Sequence, residues 1–388
     1  MNICIVTSTF ASDPEDSSHA AFLLDLIRLL ERYGHKVSVL TQAREPNPTP
    51  ALPGLDVVWF PWLKLGNRLA ELSFGSAKGL LSAASLIVQG MREVGQMRRS
   101  RNVDVFFCAW FVPSGFYVFL DQVLGRSRTP YVLWALGSDV NKYRTNPVFR
   151  GILRGLSSRA GALYADGFQL ARDVGSIAGR RCEFFPTFRV LPTATKAPRG
   201  EHRTGPRFLY VGRHAAVKGI DVLVEALVEL KKLGNPAYRF DIVGDGDLTP
   251  ALVRRVTEAG LLDRIHFRGL LSNEELAAAY EETDCVVIPS RSESIPLVLS
   301  EALQHGRPLI VTDVGDMGDL SRLHGLGLVV PPENPPALAE ALRRFISTPS
   351  VLDPSRVAKL LDELTLESAV PKLLDRLETL VSQAANRP

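Results

Sequence analysis

The chain has 388 residues, 46% of them hydrophobic and 22% charged. That is the composition of an ordinary globular protein, long enough for two domains at ~100–200 residues each. It excludes a disordered tail, a collagen-like fibre and a small disulfide-stapled scaffold. The net charge of +3 is too balanced to imply nucleic acid, although residues 1–190 hold 22 basic against 15 acidic residues and could face an anionic surface.

From the N-terminus, residues 2–8 (NICIVTS) read as a buried strand, followed by a Ser-, Asp- and Pro-rich loop. Phe22, Leu23, Leu26, Leu29 and Leu30 mark a helix over 20–33, which Gly34 ends before a second strand, Lys36–Leu40. Strand, helix and strand in this order make a βαβ unit with parallel strands. Further continuous apolar runs at Asp56–Phe60, Asp104–Ala109 and Tyr131–Ala135 suit strands buried on both faces. Residues 68–99 predict a helix with Leu80, Leu81, Ala84, Ile87, Val88, Met91 and Val94 on one side. Residues 187–206 lack periodicity and read as a linker.

Beyond the linker the alternation restarts. Strands are expected at Arg207–Val211, Arg239–Val243, Ile265–Arg268, Cys285–Pro289 and Pro308–Thr312. The intervening helices are expected at Gly219–Leu233, Thr249–Ala259, Asn273–Glu282 and Leu297–His305, with more near 335–347 and 354–386. Ser272 and Glu275 form a capping box. Two doubly wound α/β domains would place their chemistry on loops at the carboxyl ends of the strands, around a cleft.

The four cysteines, Cys4, Cys108, Cys182 and Cys285, are far apart, with neither a CxxC pair nor a His at ligand spacing. Reduced thiols are expected, with no disulfide and no zinc site. MNICIVTSTF lacks the basic start and apolar run of a signal peptide, and no transmembrane span is expected. The chain reads as cytoplasmic.

Two stretches carry charge where such a fold binds ligands. In Tyr210–Gly219 a strand ends at Gly212, Arg213 and Lys218 sit on the loop, and a helix follows. Two cations facing a helix N-terminus suit a diphosphate, or are surface charges at an ordinary turn. In Pro289–Ala302, Glu293 precedes a helix and Glu301 lies eight residues on, inside it. Carboxylates accept from vicinal hydroxyls, and the amides of Leu297 and Val298 open the helix.

Together these stretches resemble the family 4 retaining glycosyltransferases. The resemblance is carried by VGRHAAVKGID (211–221), FDIVGDGDL (240–248), FRGLLSNEELAAAYEETDCVVIPS (267–290), ESIPLVLSEAL (293–303) and GRPLIVTDVGD (306–316). It implies the GT-B fold: two Rossmann-like doubly wound domains facing an interdomain cleft. The domains would be 1–186 on the acceptor side and 207–365 on the nucleotide-sugar side, joined by 187–206, with helix 366–388 crossing back to the first.

The resemblance also implies a retaining glycosyltransferase of hexosyltransferase type, moving a sugar from a nucleotide diphosphate sugar to an acceptor hydroxyl in polysaccharide or surface-glycan assembly. By position, Arg213 and Lys218 match the family's basic pair on the diphosphate, and Glu301 the ribose ligand. Glu293 matches the glutamate beside the sugar, Leu297 and Val298 the amides near phosphate or sugar, and Arg268 the position whose backbone meets the base. Gly212 lets the backbone approach the donor. Glu293–Ser294–Ile295–Pro296 departs from the usual Glu-(Gly or Ser)-Phe-Gly.

The first domain matches more loosely. Ser17–Ala20 replaces the usual glycine pair, and Leu136 stands where many relatives carry His before Gly137. Asp139 is a candidate acceptor or sugar contact, or a cap of the following turn; His19 is a loop histidine near the cleft, a contact of the same kind or incidental to it. Asp245–Gly246–Asp247 looks like a metal-binding DxD but follows a strand within IVGDG, so no metal or cofactor is expected. A dinucleotide fingerprint is missing its third glycine. A nucleotide-sugar 2-epimerase and a binding-only protein are the rival classes. Lys64, Arg68, Lys78, Arg92, Arg98, Arg99 and Arg101 make residues 64–101 basic, fit for peripheral contact with an anionic membrane or for a solvated helix face.

Overall fold

The computed structural model describes residues 1–10, 22–43, 54–63, 76–141, 145–192, 205–234 and 236–386. The chain forms two compact units, Met1–Pro186 with Leu366–Pro388, and Thr187–Thr365. Among the described residues each holds one parallel sheet.

The first unit's strands are β1 (Asn2–Thr7), β2 (Lys36–Gln42), β3 (Asp56–Phe60), β4 (Val105–Ala109), β5 (Tyr131–Ala135), β6 (Ala162–Ala165) and β7 (Glu183–Phe184). They pair in parallel in the order β3-β2-β1-β4-β5-β6-β7. Strands β4 and β5 are buried at every position, as their unbroken apolar sequences require. The helices are α1 (Phe22–Arg32), α2 (Ala77–Ser100), α3 (Phe116–Leu124), α4 (Pro147–Arg159) and α5 (Phe168–Ala178).

Helix α2 corrects the periodicity reading. It buries Gly79, Ser82, Ala83, Leu86, Gly90, Val94, Gly95 and Met97. Leu80, Leu81 and Val88 are exposed. The inward face is rich in small residues because bulky partners take the space. A Cβ at Gly90 would stand 2.6 Å from the Tyr117 ring, and one at Gly95 3.2 Å from Asp121 Oδ1. Arg98 Nε donates to Asp121 Oδ2 at 3.1 Å, which fixes α2 against α3. The expected residues 68–75 of this helix lie outside the described residues.

The second unit's strands are β8 (Arg207–Val211), β9 (Arg239–Val243), β10 (Ile265–Gly269), β11 (Cys285–Ile288), β12 (Leu309–Thr312) and β13 (Gly327–Val330), paired in parallel in the order β10-β9-β8-β11-β12-β13. Its helices are α6 (Ile220–Lys232), α7 (Thr249–Glu258), α8 (Asn273–Glu282), α9 (Leu297–Gln304), α10 (Met317–His324), α11 (Pro335–Ser347) and α12 (Pro354–Leu364). The expected capping box opens α8: Ser272 accepts from Glu275 N, and Glu275 accepts from Ser272 N. Phe208, Phe240, Leu223, Leu227 and Phe345 centre the core.

The helical stretch expected over 354–386 is two helices, divided at Thr365, just before the expected C-terminal helix 366–388. The second, α13 (Leu366–Ala385), belongs to the first unit. Arg376 Nη2 donates to Gly161 O at 2.8 Å, and a Cβ on Gly161 would meet Leu380 at 2.5 Å. The expected linker is also revised. Residues 187–192 pack into the second unit, burying Phe188, Arg189 and Leu191; residues 193–204 lie outside the described residues.

Candidate functional site

Both sheets reverse their strand order once, between β1 and β4 in the first unit and between β8 and β11 in the second. Doubly wound sheets bind ligands in the crevice beyond the carboxyl ends of the strands at such a point. In the second unit the loops there are those after β8 and β11, which hold Arg213, Lys218 and Glu293.

Lys218 Nζ donates to Glu293 Oε1 at 2.6 Å, and Ser290 Oγ donates to the same oxygen at 2.8 Å. The side chains are 32% and 12% exposed, so the pair is reachable from solvent. Gly219, at φ +65°, follows Lys218, and a Cβ there would meet Pro289 O at 1.9 Å; only glycine lets the two loops close. Gly315 does the same beneath Glu293, whose carbonyl a Cβ would approach to 2.3 Å.

Arg291, to which the sequence reading assigned nothing, joins the loops. Its Nη1 and Nη2 donate to the Asp221 carboxylate at 2.7 and 2.8 Å, and its own amide donates to Val217 O at 2.9 Å. Its fork-shaped donor set suits this bidentate role. Arg213 is exposed, and its carbonyl accepts from Tyr210 Oη at 3.1 Å. Gly212 follows the last residue of β8, its amide donating to Val243 O at 3.0 Å.

Helix α9 starts at Leu297 after Pro296, with no side chain capping it. Leu297 and Val298 are half-buried at this end. Arg268 lies near the carboxyl end of β10, two strands from the reversal, its guanidinium 3.9 Å from Asp241 Oδ2.

Glu301, expected to meet the ribose, is buried on α9. Its side chain is 1% exposed and ion-paired with Arg189 at 2.5 Å, and Tyr280 Oη donates to its other oxygen at 2.7 Å. Sequence reasoning missed both partners. The available signal was a lone cation in the apolar run FFPTFRVL.

The Asp245 loop is internally bonded. Asp245 Oδ1 accepts from Gly246 N and Thr249 Oγ1, both at 2.7 Å. His214, buried, contacts the same Thr249 Oγ1 through Nδ1 at 2.7 Å, and burial lowers its pKa. Among the described residues no three His, Cys, Asp or Glu side chains cluster as metal ligands do.

In the first unit, Asp139, on the loop after β5, braces the neighbouring loop after β4, which borders the reversal. Its Oδ2 accepts from Phe111 N at 2.7 Å and its Oδ1 from Leu136 N at 3.1 Å. Burial pushes its pKa up to about 6, against the lowering effect of these amides. Both oxygens thus hold backbone amides, of Phe111 and of the preceding Leu136, and neither amide belongs to the turn that follows Asp139. Beside it Trp110 holds φ +68°, rare for a bulky residue, with its indole N–H donating to Ser138 Oγ at 3.3 Å. His19 lies outside the described residues. All four cysteines are free. No helix among the described residues is long and apolar enough to cross a membrane.

Residues 205–348 match the family model described as Glycosyl transferases group 1. An alpha-D-kanosaminyltransferase of Streptomyces kanamyceticus is 36% identical over 146 residues, 38% of each chain. The D-rhamnosyltransferase WbpZ of Pseudomonas aeruginosa is 33% identical over 156 residues, 39% of each chain. The match thus spans less than two fifths of these curated relatives. Among solved structures, the sucrose-phosphate synthase from Thermosynechococcus elongatus is similar over 99% of this chain and 100% of its own, with TM-score 0.76 and 19% identity. Anabaena HepE in complex with UDP and glucose aligns over 98% and 100%, with TM-score 0.73 and 16% identity.

Proposed function

We propose that this chain, which has the GT-B fold and whose residues 205–348 belong to the group 1 glycosyltransferases, transfers a sugar from a nucleotide diphosphate sugar to an acceptor hydroxyl in glycan assembly. The observation that carries the proposal is the Lys218–Glu293 pair at the strand-order reversal of the second unit. A cation and an anion held together there can serve the two ends of an activated sugar, diphosphate and carbohydrate.

In this reading Arg213, Lys218 and the amides of Leu297 and Val298 stabilise charge on the leaving diphosphate. Loss of one such donor typically costs ~2.7–4 kcal/mol of transition-state stabilisation. Glu293 orients the sugar, Glu301 takes the ribose, and the backbone at Arg268 meets the base. With retention of configuration, the bond from the anomeric carbon to phosphate oxygen breaks as the bond to the acceptor oxygen forms on the same face. The acceptor's proton passes to a phosphate oxygen, so no protein base is required. The reading gives no metal or cofactor a role.

The acceptor is a glycan or a lipid-linked glycan. The exposed Leu80, Leu81 and Val88, with exposed Lys78, Arg92 and Arg99 on the same helix, support peripheral contact with an anionic bilayer. Because α2 leads into the start of β4, its N-terminal half lies toward the carboxyl ends of these parallel strands.

The test is purified protein incubated with UDP-, GDP- and ADP-sugars. Release of the nucleoside diphosphate with a new glycosidic product or free sugar is expected. An epimerised sugar would assign the chain to the 2-epimerases, and binding without turnover would make it a receptor.

A further inference from the structure

Glu301 is closed by a residue that the chain itself supplies. Arg189 Nε and Nη2 both donate to Glu301 Oε1, at 2.9 and 2.5 Å. With Tyr280 on Oε2, three of about four lone-pair directions of this carboxylate are filled. The remaining direction is closed to solvent, since Glu301 is 1% and Arg189 8% exposed.

The arginine is held in place. Phe188 and Leu191 on either side of it are buried, and Gln304 Nε2, one turn past Glu301 on α9, donates to Arg189 O at 3.0 Å. Two adjacent donors on one carboxylate is also the arrangement by which a vicinal diol would bind. Arg189 therefore fills the hydrogen-bonding role that a ribose would fill.

We infer that Arg189 competes with the nucleotide for Glu301, so that a nucleoside diphosphate binds fully only when the guanidinium leaves the carboxylate. This rests on the reading of Glu301 as the ribose ligand. A binding-competent state that must first break a buried pair lowers the apparent affinity by its fractional population. Removing the competitor restores that affinity.

Calorimetry with UDP, GDP and ADP, each titrated into wild type, Arg189→Ala and Arg189→Lys, tests the inference. The best-binding nucleotide should bind Arg189→Ala at least ~10-fold more tightly than wild type, with Arg189→Lys between them. Truncating one partner of a buried pair can unfold a protein. A second measurement on wild type therefore stands beside it: amide hydrogen exchange of residues 187–192 should accelerate on adding the nucleotide. Equal or weaker binding by Arg189→Ala, or slowed or unchanged exchange, overturns the inference and leaves the donor reading intact. If no nucleotide binds any of the three proteins, the donor reading falls and takes this inference with it.

Discussion

The reversal of the second sheet and the loops on the β4 side of the first sheet's reversal stand on the same topology and are furnished differently. In the second unit, the loops after β8 and β11 bring Lys218, Glu293 and Ser290 into one hydrogen-bonded group, with Arg291 and Asp221 bracing the loops. In the first unit, the loop after β4, at the reversal, and the loop after β5 beside it present a strained, half-buried tryptophan and a buried carboxylate whose two oxygens accept backbone amides. The same topology thus yields a charged site on one sheet and an aromatic, internally braced one on the other. A parallel sheet decides where a site can be, and the loop side chains decide what it can bind.

The sharpest way to break this contrast is Lys218→Ala. If the second reversal handles the diphosphate, turnover of the accepted nucleotide sugar should fall ~10²–10³-fold, the usual loss for one such donor. Far-UV circular dichroism should be unchanged. Near-normal turnover would remove the charged pair from the chemistry.

A smaller effect is expected at Asp139. Its folded-state pKa, about 6, lies above the ordinary carboxyl value, with burial as the main cause. Its contribution to stability is therefore fully present below about pH 4 and is lost as pH rises through about 6. The amount is on the order of 3 kcal/mol, softened by residual solvent access. Asp139→Asn carries no charge at either end of that range. In urea titrations at pH 4, 5.5 and 7, the stability difference should move in the variant's favour as pH rises. Trp59, Trp62, Trp110 and Trp134 all belong to the first unit, so tryptophan fluorescence reports on this unit. A pH-independent difference would show that Asp139 stays ionised throughout.

The smallest effect on stability, and a clear one on location, is expected from Leu80→Ser with Leu81→Ser. Both side chains are more than half exposed, so unfolding should shift by under ~0.5 kcal/mol for each. Flotation with anionic vesicles should be lost. Wild-type protein that ignores anionic vesicles would return this face to ordinary solvent exposure.

Much of the fold was legible beforehand because parallel strands buried on both faces need unbroken apolar runs. VFFCA, YVLWA and CVVI sit in the strands those runs indicate. The Ser272 capping box was equally legible, since it needs only two side chains three residues apart. Less could be read at the site. The pairing of Lys218 with Glu293 joins residues 75 apart in the chain, and spacing alone marked them as charges on loops rather than as one group.

What the sequence determined by itself was local. Periodicity, caps and breakers located most strands of both sheets and many of the helices, though not the elements between Pro147 and Phe184, and charge on post-strand loops marked the region to examine. What only the tertiary structure decided was which way things face. On α2, Leu80, Leu81 and Val88 point outward while Val94 of the same expected stripe is buried, because Tyr117 and Asp121 occupy the space over the helix's glycines. A residue in an apparent linker, Arg189, is buried on a carboxylate 112 positions away. Periodicity records that a helix has two faces but not which is covered. The covering groups come from distant parts of the chain, and packing between them selects the face and the partner.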